Sequence, residues 1–207
     1  MKNTGRVRRG RQIVGIGGMH RGIGTTFLTV ALAGYLAESR ARSVAVVEYN
    51  PCPSLDGLLK KAGRFATRDG AGKVSLFGVD YFVGGPEDTE RIPRVLREEY
   101  EDVLVDFGTL FLSPETDAKI TKEWIRCDRN LILVDSAPWR WKELEVFAER
   151  LDKINMSKRK DILNVYNAED DKRAIMKMMG SNVTGIPYME DPFALKREYF
   201  GFMDRFL

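Results

Sequence analysis

The chain has 207 residues, of which 43% are hydrophobic and 30% charged, an ordinary globular composition of a size for one domain. Thirty-three Lys and Arg against thirty Asp and Glu leave a net charge of +3. That balance gives no strong nucleic-acid signal, and no apolar run reaches the roughly 18 residues that a membrane span needs. Two cysteines, Cys52 and Cys127, are far apart and without metal-ligand spacing, so a disulfide framework is not expected and a reducing, cytoplasmic setting is.

Residues 1–11 carry Lys2, Arg6, Arg8, Arg9 and Arg11. They read as a basic, solvated tail or a weak anion contact, ahead of a single domain over 12–207. The apolar stretch Ile13–Ile16 is too short and too rich in glycine for a signal peptide. Gln12–Gly17 reads as a buried strand ending in glycine. From Thr25 the period changes: Leu28, Ala31, Leu32, Tyr35 and Leu36 fall on one helical stripe. Ser43–Glu48 is a second apolar strand. Pro51 and Pro53 interrupt it before a short helix over Leu55–Lys61.

Gly63–Gly72 reads as a glycine-rich loop, and Val74–Phe77 and Val79–Val83 as strands. A helix is expected over Thr89–Glu99, bent or shifted by Pro93, and then a strand over Val103–Asp106. Ser113 and Pro114 have the order of an N-cap and first helical residue, opening a helix to about Arg126. Strands at Leu131–Val134, Ile162–Tyr166 and Val183–Ile186 alternate with helices at Trp139–Ile154 and about Asp170–Met179. The final helix, over Pro192–Leu207, has an apolar face wide enough to suggest core packing, a partner surface or a membrane contact. Alternating strands and helices predict a doubly wound α/β fold, a mostly parallel sheet with helices on both faces.

The segment with most chemical content is Gly17–Thr26, GGMHRGIGTT, placed between the first strand and the first helix. Amides of a glycine-rich turn can point inward around phosphate oxygens, and the helix that follows adds its positive end. In the usual G-x-x-x-x-G-K-[ST] pattern, Met19 stands at the first glycine and Thr25 at the lysine, while Gly24 and Thr26 fit. Thr25 and Thr26 could equally cap the helix.

His20–Thr26, H-R-G-I-G-T-T, resembles the K-G-G-V-G-K-T-T loop of the MinD/ParA group of P-loop NTPases, including its TadZ/CpaE-like pilus-localisation members. Val44–Pro51 resembles that group's I-D-x-D-P segment, with Glu48 and Asn50 in place of its two aspartates. Tyr100–Gly108 resembles its Walker B strand and keeps Asp106; Ile162–Asn167 and Gly185–Tyr188 resemble its last strands. The resemblance implies a homodimer with a protein partner, and ATP with Mg²⁺ as cofactors. Phosphates would lie on His20, Arg21, Gly22, Ile23, Gly24, Thr25 and Thr26, the base on Asn164, and Mg²⁺ on Thr26 and Asp106. Glu48 and Asn50 are the candidates for ordering water. Read from the residues alone, His20 could be structural, Asp106 a polar strand end, Asn164 a turn residue, and Trp139 and Trp141 caps over the sheet edge or a partner patch.

Both lysines of the group's loop are absent. A charged hydrogen bond is worth about 1.5–3 kcal/mol, so nucleotide should bind roughly tenfold to a hundredfold more weakly, and hydrolysis should suffer more. Three functions stay open: a nucleotide-binding regulator or localisation factor with little turnover, a non-binding scaffold, and an active ATPase using Arg21.

Overall fold

A computed structural model describes residues 10–61, 67–69, 73–154, 159–166 and 171–206. The tail before Gly10, most of the expected Gly63–Gly72 loop, Asn167, Asp170 and Leu207 lie outside the described residues. The strands are β1 (Gln12–Gly18), β2 (Val44–Glu48), β3 (Thr67–Arg68), β4 (Lys73–Leu76), β5 (Val79–Phe82), β6 (Asp102–Thr109), β7 (Arg129–Val134), β8 (Arg159–Asn164) and β9 (Val183–Gly185). They form one sheet in the order β3-β4-β5-β2-β6-β1-β7-β8-β9. Every neighbouring pair from β5 to β9 in that order is parallel; β4 runs antiparallel to β3 and β5.

The helices are α1 (Thr25–Gly34), α2 (Leu55–Lys61), α3 (Arg91–Val95), α4 (Pro114–Trp124), α5 (Trp141–Asp152), α6 (Lys172–Met179) and α7 (Phe200–Met203). Period-two alternation along the buried strands sorts the core into two layers. Leu104, Leu131, Leu133 and Leu163 face α1, α2 and the C-terminal segment. Val103, Val105, Ile132, Val134 and Ile162 face α3 to α6. The sheet is therefore covered on both sides, as the continuous apolar runs required.

α2 begins and ends where the sequence placed it, and Ser113 caps α4, its side chain accepting from Thr116 N–H. α3 is shorter than expected. Pro93 is tolerated because it sits in the first turn, and the chain leaves the helix at Leu96. Arg11, counted with the basic tail, covers the freed carbonyls there: its Nε donates to Tyr100 O at 3.0 Å, and its terminal nitrogens donate to Leu96 O and Glu98 O.

The long C-terminal helix does not form. Short 3-10 turns at Arg197–Tyr199 and Asp204–Phe206 flank the four residues of α7. Phe202, Met203 and Phe206 are buried in the α1 layer, Tyr35 packs on Phe200 with ring centroids 4.9 Å apart, and Tyr35 Oη and Arg40 donate to Asp204. Aromatic residues at irregular angles close the gap beside α1, so burial overrides helical propensity. The wide apolar face is core. No described helix is long and apolar enough to cross a membrane.

Phe206 is 2% exposed, with the Arg129 guanidinium 5.4 Å from its ring centre. Phe206→Ala should cost about 3–5 kcal/mol, which lowers the melting temperature by roughly 10 °C in a domain of this size. A docking role for this segment would instead leave the melting curve unchanged.

Candidate functional site

β1 ends at Gly18, and the chain then turns over the carboxyl edge of the sheet before entering α1. Met19 N–H donates to Leu133 O at 3.0 Å, which pins the start of the turn. Gly22 and Gly24 take positive φ, 82° and 104°, conformations that L side chains rarely adopt. Gly24 is the N-cap of α1 and makes no side-chain cap. The N–H groups of His20 to Gly24 have no protein acceptor among the described residues. His20, Arg21, Gly22 and Gly24 border an open cavity of about 260 Å³ whose other walls include Thr25, Thr26, Asn50, Ser54 and Gly108. The loop stands off the sheet as a cup.

Ile23 is the exception within the loop. It is 8% exposed, packs in the α1 layer and is not part of the cavity wall. Thr25 and Thr26 do not cap the helix. The Thr26 hydroxyl turns to Asp106 instead, Oγ1 donating to Asp106 Oδ2 at 2.5 Å. Asp106 is fully buried and also accepts from Gly108 N–H at 3.0 Å. Burial pushes its carboxyl pKa up, and its hydrogen bonds oppose the shift without cancelling it. Gly108 has φ 62°, and a Cβ there would run into the Asn50 amide, so the missing side chain lets Asn50 pack against this turn.

Glu48, a candidate for ordering water, is also fully buried but serves the fold. Its Oε1 accepts from Ser54 and Leu55 N–H, each at 2.7 Å, and Oε2 accepts from Gly84 N–H at 3.0 Å. The first two bonds satisfy free donors at the start of α2, and the third ties in the loop after β5. Neither Glu48 nor Asp106 is part of the cavity wall, whereas Asn50 is, and so is Thr26, the hydroxyl partner of Asp106. Asn50 Oδ1 accepts from Cys52 N–H at 2.9 Å.

His20 lies on the rim, its Nε2 3.4 Å from Asp135 Oδ2 and its Nδ1 3.0 Å from Arg21 O. Asp135 also pairs with Arg140 at 3.4 Å. Arg21 is exposed and lines the cavity. Asn164 lies away from the cavity wall: its Oδ1 accepts from Ser136 and Tyr166 N–H at 3.2 and 3.3 Å, and its Nδ2 donates to Ser136 Oγ at 2.8 Å and to Tyr166 O. The amide joins the ends of β7 and β8. Trp139 is 76% exposed and meets Tyr166 edge-on at 6.1 Å, while Trp141 Nε1 donates to Glu145.

Sequence reasoning missed Asp135 and Ser54. The first had a signal, because Ile132–Asp135 repeats the apolar-run-then-aspartate pattern of Val103–Asp106 on a strand two places away. Thr26, Ser54, Asn50 and Asp106 supply hard oxygen donors, and Thr26 Oγ1 and Ser54 Oγ are 3.3 Å apart. This chemistry suits Mg²⁺, which takes a carboxylate, phosphate oxygens and waters. No cluster of three or more His, Cys, Asp or Glu exists among the described residues to favour another metal.

The raised pKa of Asp106 has a definite sign. A carboxyl that holds its proton more tightly folded than unfolded makes stability fall as pH rises. Asp106→Asn should therefore melt higher than the parent at neutral pH, with the gap closing as the pH is lowered. Melting curves with EDTA between pH 5 and 8 check this.

No family model and no curated protein matches the chain. Solved structures do. A ParA family ATPase from Chlorobium tepidum superposes with a TM-score of 0.66 at 14% identity, covering 87% of this chain and 85% of its own. A putative plasmid partition protein from Borrelia burgdorferi, bound to AMPPNP, gives 0.65 at 15%, covering 96% and 97%. The septum site-determining protein MinD from Pyrococcus horikoshii, complexed with Mg-ADP, gives 0.52 at 14%, covering 86% and 81%. The chain has the fold of the ParA and MinD P-loop proteins.

Proposed function

We propose that this protein is a nucleotide-binding regulator or localisation factor of the MinD/ParA type, which takes ATP with Mg²⁺ and turns it over slowly or not at all. The observation that carries the reading is the cup itself: a positive-φ turn with free amides at the start of a ten-residue helix, open to a cavity. Such a turn favours anions through oriented N–H groups and the helix dipole. Two proteins of the same fold hold AMPPNP and Mg-ADP.

The loop amides and the exposed Arg21 would bind phosphate oxygens, with His20 on the rim. Thr26 and Asp106 would hold Mg²⁺, which on binding neutralises phosphate charge. Asn164 would reach a base only by giving up bonds to Ser136 and Tyr166. Slow turnover follows from what the wall lacks. Thr25 replaces the lysine that would neutralise charge in the transition state, and no Asp or Glu is among the residues lining the cavity to take a proton from water. A chain of this kind would act through a nucleotide-favoured homodimer and an unidentified protein partner, in the cytoplasm.

Thermal melting with Mg-ATP, Mg-ADP and no nucleotide tests the reading. Ligand at a hundred times its dissociation constant adds about 2.7 kcal/mol, a shift of roughly 5–10 °C here, while phosphate release stays at the buffer rate. Gly24→Val, which forces a side chain onto φ 104°, should remove the shift. No shift at millimolar Mg-ATP leaves a bare scaffold; a shift accompanied by rapid phosphate release means an active ATPase.

A further inference from the structure

A second cavity, of about 510 Å³, opens between α5 and the chain that leaves β6. It shares no wall residue with the cup. One wall is a single helical stripe, Trp139, Lys142, Glu143, Val146, Phe147 and Arg150, which begins in the 3-10 turn before α5. At 1.5 Å per residue the stripe is about 16 Å long. The other wall is Met19, Leu110 and Phe111. Phe111 takes φ 61°, a conformation that costs a bulky side chain energy. Arg150 holds it there, its Nη1 donating to Phe111 O at 3.0 Å and its guanidinium 4.9 Å from the ring centre. Phe147 packs on the same ring, centroids 5.3 Å apart. The groove is thus a fixed shape.

Its apolar surface is open to water. Trp139 is 76% and Val146 49% exposed, and tryptophan is among the commonest anchors of protein interfaces. Trp141 takes no part, since its Nε1 donates to Glu145 and its ring is not on the wall. The charged side chains of the stripe are not equivalent. Glu143 accepts from Arg140 at 2.6 Å, and Arg150 pairs with Asp117 at 3.2 Å. Lys142, one turn from both Trp139 and Val146, is exposed and has no carboxylate partner among the described residues. The charge left unanswered in the groove is therefore positive.

We propose that this groove docks an amphipathic helix of a protein partner, with an apolar face over Trp139, Val146 and Phe147 and an Asp or Glu that meets Lys142. The length of the stripe sets about three turns of helix, its spacing sets apolar anchors at i, i+3 or i+4 and i+7, and Lys142 sets the sign of the charge. This gives a chemistry to the partner in the proposed function and rests on that part of it. The nucleotide is not needed, because the groove is complete without the cup.

Selection of a displayed library of short random peptides on the full chain, followed by anisotropy titration of the recovered peptides, tests this. They should repeat bulky apolar residues at helical spacing with Asp or Glu beside them. Lys142→Glu should weaken their binding at least about tenfold, the scale of one charged contact. Changing the peptide's acid to Lys should restore binding to that variant, and Val146→Glu should abolish binding of both peptides. Unchanged melting curves report that the variants are folded. Recovery of no such peptides overturns the proposal, and so does binding that survives both substitutions. Sedimentation of the chain alone covers the other occupant: a dimer that Val146→Glu dissociates puts a second copy in the groove and overturns the partner helix. Each of these failures leaves the nucleotide reading intact, which the melting shift with Mg-ATP tests by itself.

Discussion

The pairing of β1 with β6 governs the rest of the site. Ile16 lies opposite Asp106 in the parallel register, with an irregularity just beyond it. The turn that leaves β1 therefore arches over that carboxylate. Because parallel strands end on the same edge, the loops after β1, β2, β6 and β7 gather there, the crevice where doubly wound sheets place ligands. Thr26, in the first turn of α1, reaches Asp106 with its hydroxyl. Gly108 turns sharply at its side and lets Asn50 close in. A buried carboxyl group satisfied by a hydroxyl and a backbone N–H, rather than by a cation, is the physical signature of this cup.

Two buried carboxylates at the same edge illustrate how environment separates roles. Asp106 is bonded to the Thr26 hydroxyl, which a metal could compete for, and to Gly108 N–H. Glu48, one strand over and level with it in the register, spends its oxygens on three backbone N–H groups from two loops. Burial raises the pKa of both. Of the two, only Asp106 is bonded to a side chain, Thr26, that itself walls the cavity. A carboxylate in the sequence position of a catalytic aspartate can thus be a fastener, and its hydrogen-bond partners, not its alignment, decide which.

Much of this was legible in the sequence, and unevenly. Central strands were, because burial on both faces demands unbroken apolar runs such as Val103–Asp106 and Leu131–Val134. So was the cup, since a strand, a glycine-rich turn and an apolar helical stripe follow one another without interruption. The C-terminal segment was not: periodicity alone cannot tell a helix stripe from aromatic residues that fill a gap from several directions. The helix with Pro93 was overextended for a related reason, as its later apolar residues serve packing after the helix has ended. Asp135 escaped because it lies far from the loop in sequence and meets His20 only through the sheet order. The tie from Glu48 to Gly84 is likewise a long-range contact.

The central claim is that the amides of the turn, not a side-chain cation, hold the anion. Its most direct test is the ¹H–¹⁵N spectrum of the protein on adding Mg-ATP. The largest shifts should fall on the N–H groups of Gly22, Ile23 and Gly24, with slowed amide exchange at the same positions. Shifts confined to other surfaces, with these three amides unmoved at saturation, would contradict the account.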